Sequence, residues 1–132
     1  MLEQLPLTRI VSTPAALDAL EPAAGSVILR TAPDEVLILD PASDYPAPVI
    51  VDDPHAIVVV DQGWAQVSLT RQDAEELLER HGAWVLPDET PAVAQGRIGN
   101  APVKLWVEHD RVLLLVPLVA AHDLARLMEP DA

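Results

Sequence analysis

The stretch Trp64-Ala-Gln-Val-Ser-Leu-Thr-Arg-Gln-Asp-Ala-Glu-Glu-Leu-Leu-Glu-Arg-His-Gly82 changes its hydrophobic period halfway along, and that change decides the fold. From Trp64 to Leu69 the pattern alternates. Ala65, Val67 and Leu69 fall on one side, and Trp64, Gln66 and Ser68 on the other. A period of two marks a strand with one covered face. From Thr70 the period becomes helical: Ala74, Leu77, Leu78 and His81 form one apolar stripe. Thr70 is placed to cap the first turn, and Asp73 completes an approximate capping box at the positive end of the helix dipole. Glu76 and Arg80 can pair on the outer side, and Gly82 stands where a C′ glycine belongs.

Toward the C-terminus, Pro87 to Pro91 reads as an acidic loop, and Val93 to Ile98 as a strand broken at Gly99-Asn100. Val103-Lys-Leu-Trp-Val107 alternates again. Val103, Leu105 and Val107 point inward, which leaves Lys104 and Trp106 on the opposite face. His109-Asp110 fits a two-residue hairpin turn, and the uninterrupted apolar run Val112 to Val116 fits a central strand. Ala121, Leu124, Ala125 and Met128 then make a second helical stripe, stopped by Pro130.

Toward the N-terminus, residues 1–12 read as an extended lead-in. Thr13-Pro14 starts a short helix with Leu17 and Leu20 on its buried side, ended by Pro22 and Gly25. Ser26 to Thr31 and Glu35 to Asp40 form two strands around the turn Ala32-Pro33-Asp34. Pro41 to Pro48 is a loop and Val49 to Val51 a brief strand. Asp52 to His55 is a turn. Ala56 to Val60 is a continuous apolar run, as expected of a strand covered on both faces, and Asp61-Gln62-Gly63 interrupts it.

The expected class is therefore α+β: one domain over residues 1–132, with a predominantly antiparallel sheet and two or three short helices packed on one face. Half the residues are hydrophobic, yet the aromatic residues are only Tyr45, Trp64, Trp84 and Trp106, so Val, Leu, Ile and Ala must build the core. No apolar run approaches the roughly 18–20 residues needed to cross a bilayer, and the opening residues lack a secretory pattern. The expectation is a soluble, cytoplasmic protein with no membrane partner. The absence of cysteine excludes disulfides, thiolate catalysis and Cys-ligated metal sites.

The net charge of −13 repels phosphate backbones, so nucleic acid is not an expected partner. Residues 1–62 carry ten acids against two arginines. A basic partner is electrostatically easy, although charge of this sign also serves solubility.

The chemistry-bearing clusters each have a structural account. Asp52-Asp53-Pro54-His55 with Asp61 could ligate a divalent cation, but adjacent acids on a proline turn also describe a solvated loop. His81 suits the last turn of its helix as a positive charge. Glu108-His109-Asp110-Arg111 concentrates acid–base groups at a hairpin tip, and His122 and Asp123 are helix neighbours that do not face each other. The serines lack a nucleophile elbow. Gly96-Arg97-Ile98-Gly99-Asn100 reads as a turn, not a phosphate cradle. No catalytic, cofactor-binding or metal-binding residue is assigned. Trp64 and Trp106 are large rings on a face opposite the Val/Leu side, which requires either a second layer or a contact surface. Trp64, Gln66, Lys104 and Trp106 are accordingly the candidate partner-binding residues.

Three stretches also carry a family resemblance. Pro33-Asp34-Glu35-Val-Leu-Ile-Leu39, Val59 through Leu78, and Arg97 through Trp106 continuing to Val112 through Pro117 resemble, in order, the γ subunit of heterotetrameric sarcosine oxidase. They resemble more distantly the aminomethyltransferase or folate-binding fold of the glycine cleavage T-protein. With the helix after the closing hairpin, the resemblance covers roughly residues 26–128. Position 36 is Val where that family commonly has Trp, Gln62-Gly63 replaces its Ser, and Arg71 replaces its Gly.

The resemblance implies a ferredoxin-like or aminomethyltransferase-domain-like sheet and a non-catalytic accessory role in an amine-oxidising flavoenzyme. Its partners would be larger flavoenzyme subunits, which hold the cofactors. The alternative it implies is a free-standing module for a folate- or pterin-like molecule, with Trp64 or Trp84 and Asp61 as possible contacts.

Overall fold

The computed structural model describes residues 2–43 and 49–129, and its architecture is α+β: two antiparallel sheets, of five and four strands, with three short helices. The chain divides into two compact units, residues 1–4 with 63–132 and residues 5–62.

The larger unit contains β1 (Glu3–Gln4), β6 (Trp64–Thr70), α2 (Arg71–His81), β7 (Ala92–Ile98), β8 (Ala101–Val107), β9 (Arg111–Pro117) and α3 (Leu118–Leu127). Its sheet runs β1-β6-β9-β8-β7. The central place of β9 explains its composition, since Val112 through Val116 are all buried. Ala65, Val67, Val103, Leu105, Val112, Leu114 and Val116 meet Ala74, Leu77 and Leu78 of α2 and Leu124 of α3 in one core. Both helices therefore lie on one face of this sheet, as the inward sides of the alternating strands require.

The helix start is built as the sequence predicts. The Thr70 hydroxyl accepts from the Asp73 N–H at 3.1 Å. Arg71 pairs with Glu75 at 3.0 Å, one helical turn on. The end differs from expectation. Gly82 is extended (φ −109°, ψ 166°), not left-handed, and its N–H donates to the Leu78 carbonyl. Its smallness serves packing, because a Cβ there would stand 2.8 Å from Leu78 Cδ2. Gly99 does adopt the left-handed region, with φ 59°, in the tight β7–β8 turn. β7 runs unbroken through Gly96 and Arg97 to Ile98, so only Gly99-Asn100 turns.

The smaller unit contains β2 (Leu7–Val11), α1 (Pro14–Asp18), β3 (Val27–Ala32), β4 (Glu35–Leu39) and β5 (Ile57–Asp61) in the order β3-β4-β2-β5. The opening residues, expected as an extended lead-in, hold two strands among those described, Glu3–Gln4 and Leu7–Val11. The second, β2, is an inner strand whose Leu7 and Ile10 are fully buried. Thr13 caps α1 through the Ala16 N–H at 3.2 Å. Leu17 then packs with Ile10, Val36 and Ile38. The hairpin over Ala32-Pro33-Asp34 is present, with a register shift between Arg30 and Ala32.

Two local expectations need correction. Residues 49–51 form no strand; Val49 and Val51 lie against the α1 core instead, while Ile50 is exposed. The run Ile57–Val60 is a strand, but it is not covered on both faces. It is the terminal strand of its sheet. The loop expected over 41–48 lies outside the described residues from position 44 on.

Candidate functional site

The four candidate partner-binding residues share one face of the five-stranded sheet. Gln66 and Lys104 flank Leu115 across β9, while Trp106 lies opposite Leu113. Lys104 Nζ stands 5.9 Å from the Trp64 ring centroid, close enough for a cation–π contact. It also donates to Gln95 Oε1 at 2.5 Å. The Trp106 indole N–H donates to Glu108 Oε1 at 3.1 Å. All four residues are half-buried, and Leu113 and Leu115 between them are buried. The Gln66 side-chain oxygen is buried without a hydrogen-bond partner. The Lys104 ammonium and the Trp106 N–H are thus committed within the chain.

Among the described residues, β5 carries the longest run of exposed large apolar side chains, besides Ile50, Val85 and the pair Leu118-Val119. Ile57, Val58, Val59 and Val60 are 57, 51, 39 and 51% exposed. β2 pairs with one side of the strand: Ile57 opposes Val11, Val58 opposes Ile10, Val59 opposes Arg9 and Val60 opposes Thr8. Because successive side chains alternate, Val58 and Val60 lie on the Ile10 face, while Ile57 and Val59 lie on the other. β5 has the composition of a central strand in the position of an edge strand. The sequence contains the run of β-branched residues but not its place in the sheet. The acids on either side of the run were the available signal.

The titratable clusters resolve into turns and caps. Asp53 accepts from the Ser12 hydroxyl at 2.6 Å and from the His55 N–H at 2.9 Å. These two bonds hold its carboxyl below the usual carboxylate range. The Asp52–His55 segment is therefore a turn pinned to the end of β2. Among the described residues, no group of three or more His, Asp or Glu side chains converges as a metal site would require. At the β8–β9 tip, Glu108 accepts from Arg111 at 2.7 Å as well as from Trp106. The Arg111 hydrogen bond chiefly holds this carboxyl low, against a partial loss of solvent. His109 and Asp110 approach to 3.7 Å and are well exposed. His81 is half-buried, with Nε2 buried and unpartnered, and its carbonyl accepts from Gly99. His122 is exposed beside Asp123.

A cleft of about 430 Å³ opens beside α2. Trp84, Leu78 and Leu86 form its apolar wall, and Glu75, Glu79 and Asp88 supply carboxylates. Its one arginine, Arg71, is occupied by Glu75 and by the Pro87 carbonyl at 2.8 Å. The Trp84 N–H donates to the Arg97 carbonyl at 2.9 Å, which fixes the indole against β7. Asp61, the other contact considered for a small ligand, ends β5 in the smaller unit, opposite Leu7. Compared with protein-family models and with curated proteins, the chain matches none.

Proposed function

We propose that this chain is a non-catalytic accessory subunit, γ-like, of a heteromeric sarcosine oxidase-type amine-oxidising flavoenzyme. It docks on a larger chain and leaves flavin and substrate to that chain. The observation that carries the docking role is β5, an edge strand whose four apolar residues are exposed on both faces. Strands of that kind are templates for further pairing, and soluble proteins ordinarily blunt them. The flavoenzyme assignment rests on the ordered likeness of residues 26–128 to the γ-subunit family. Purification of the tagged full chain from its native extract tests the reading. A larger partner with flavin absorbance should co-elute in fixed ratio. A chain that always elutes alone and colourless refutes it.

The cleft beside Trp84 supports a second reading, a small-molecule module for a folate- or pterin-like ligand. Its volume lies in the lower part of the range for ligand sites, and it offers an aromatic wall with nearby carboxylates. Saturating folate should then raise the melting temperature of the isolated chain, by linkage. An unchanged melting temperature rules this reading out.

A further inference from the structure

We infer that β5 accepts one more strand, and that this strand is apolar at its centre with lysine or arginine at both ends. The inference rests on the docking reading above and supplies the chemistry of the partner's contact segment.

The backbone comes first. β5 closes the order β3-β4-β2-β5, so among the described residues only β2 pairs with it. The N–H and C=O groups along its outer side are a row that an added strand can satisfy. The side chains then define what fits beside that row. Val58 and Val60 on one face, and Ile57 and Val59 on the other, would each gain a neighbour. A strand polar on either face would leave half of this surface in contact with water. Ile57–Val60 carries no lysine, no proline and no register shift, the usual devices that keep an edge from pairing.

Charge selects the occupant. Asp61 ends β5, and Asp52 and Asp53 precede it. Arg9, opposite Val59, lies 3.8 Å from Glu35, and His55 stands between Asp53 and the run. Both ends of the apolar run are thus acidic. A parallel or an antiparallel strand meets the same pattern, and in either direction basic ends complement it. A second copy of this chain complements it poorly. Antiparallel pairing of two β5 strands would bring Asp61 of each toward the Asp52-Asp53 end of the other, and would join two chains of net charge −13.

The test is fluorescence anisotropy on the full chain with a labelled synthetic peptide, a Thr-Val-Ile-Val core with two lysines at each end. The controls are the same core flanked by glutamates, and the lysine peptide N-methylated at every core residue. The lysine peptide should bind at least about tenfold tighter than the glutamate peptide, with the difference shrinking as salt rises. N-methylation should abolish binding, and V58K/V60K should weaken it at least about tenfold with the melting temperature unchanged. V60K alone covers the case in which the double variant fails to fold.

Four results overturn the inference. They are no binding of the lysine peptide, equal binding of the two flanks, binding that survives N-methylation, or a concentration-dependent dimer that V58K/V60K dissolves, since that makes a second copy the occupant. Failure here with a flavin-bearing chain still co-eluting would refute the partner chemistry alone. Peptide binding without any such chain would keep the edge and refute the flavoenzyme reading.

Discussion

The indole of Trp84 fills the space above Gly96: a Cβ at position 96 would lie 2.6 Å from Trp84 Cε2, and the ring is anchored by its N–H on the next residue's carbonyl. Glycine inside a strand ordinarily weakens it, and here the aromatic ring replaces the missing side chain as cover for β7. Gly96→Ala should therefore destabilise the protein by about 1–3 kcal/mol through overpacking. In a Trp84→Ala background the same change should cost close to nothing. Urea unfolding of the four proteins gives the coupling, which should be about 1 kcal/mol or more.

Gly99 combines φ 59° with a Leu127 Cδ1 atom 2.6 Å from where a Cβ would stand. Backbone strain and the α3 contact should add. Gly99→Ala should cost about 1–3 kcal/mol, and Leu127→Ala should relieve part of that cost. Thermal melts of the single and double variants check this.

Glu108 is a test of the hairpin tip. Its carboxyl is held low chiefly by the Arg111 hydrogen bond, with a smaller part from Trp106. A depressed folded pKa contributes stability that is complete above the unfolded glutamate value, roughly 4.3, and is lost as pH falls through the folded value. Glu108→Gln should thus cost about 0.5–1 kcal/mol at neutral pH, modest because both partners are partly solvated. In acid, below the folded value, variant and wild type should converge. Denaturant midpoints measured across pH would show a constant difference if the bond were not the cause.

Ile10 tests whether the opening residues belong to the fold. It is fully buried in β2 against Leu17, Val36 and Ile38. Ile10→Ala should cost about 2–5 kcal/mol, as core truncations do. A cost under about 0.5 kcal/mol, the level of a surface change, would contradict the placement.

Much of the larger unit was legible from pattern alone. The switch of period at Thr70 locates α2, and the unbroken run Val112–Val116 locates the central strand, because local spacing reports local structure and coverage on both faces demands apolar residues. The smaller unit was less legible. Leu7–Val11 has no strong alternation, and it becomes a strand through pairing with β4 and β5, which are distant in sequence. The run at β5 misleads for the same reason: an apolar run reads the same whether a neighbouring strand is present or absent. As for the site, alternation puts Trp64, Gln66, Lys104 and Trp106 on one face of their strands, and the pairing across β9 gives the same face. That face is half-buried, however, and the exposed edge follows from strand order, which no single segment encodes.

Docking through β5 on a flavin-bearing partner is the role proposed for this chain. Its most direct test is native purification of the tagged wild type and of V58K/V60K in parallel, reading flavin absorbance per mole of chain. A fixed ratio of flavin and larger chain is expected with the wild type, and loss of both with the folded variant. Wild type that elutes without flavin, or a variant that retains the full complement, would contradict that role.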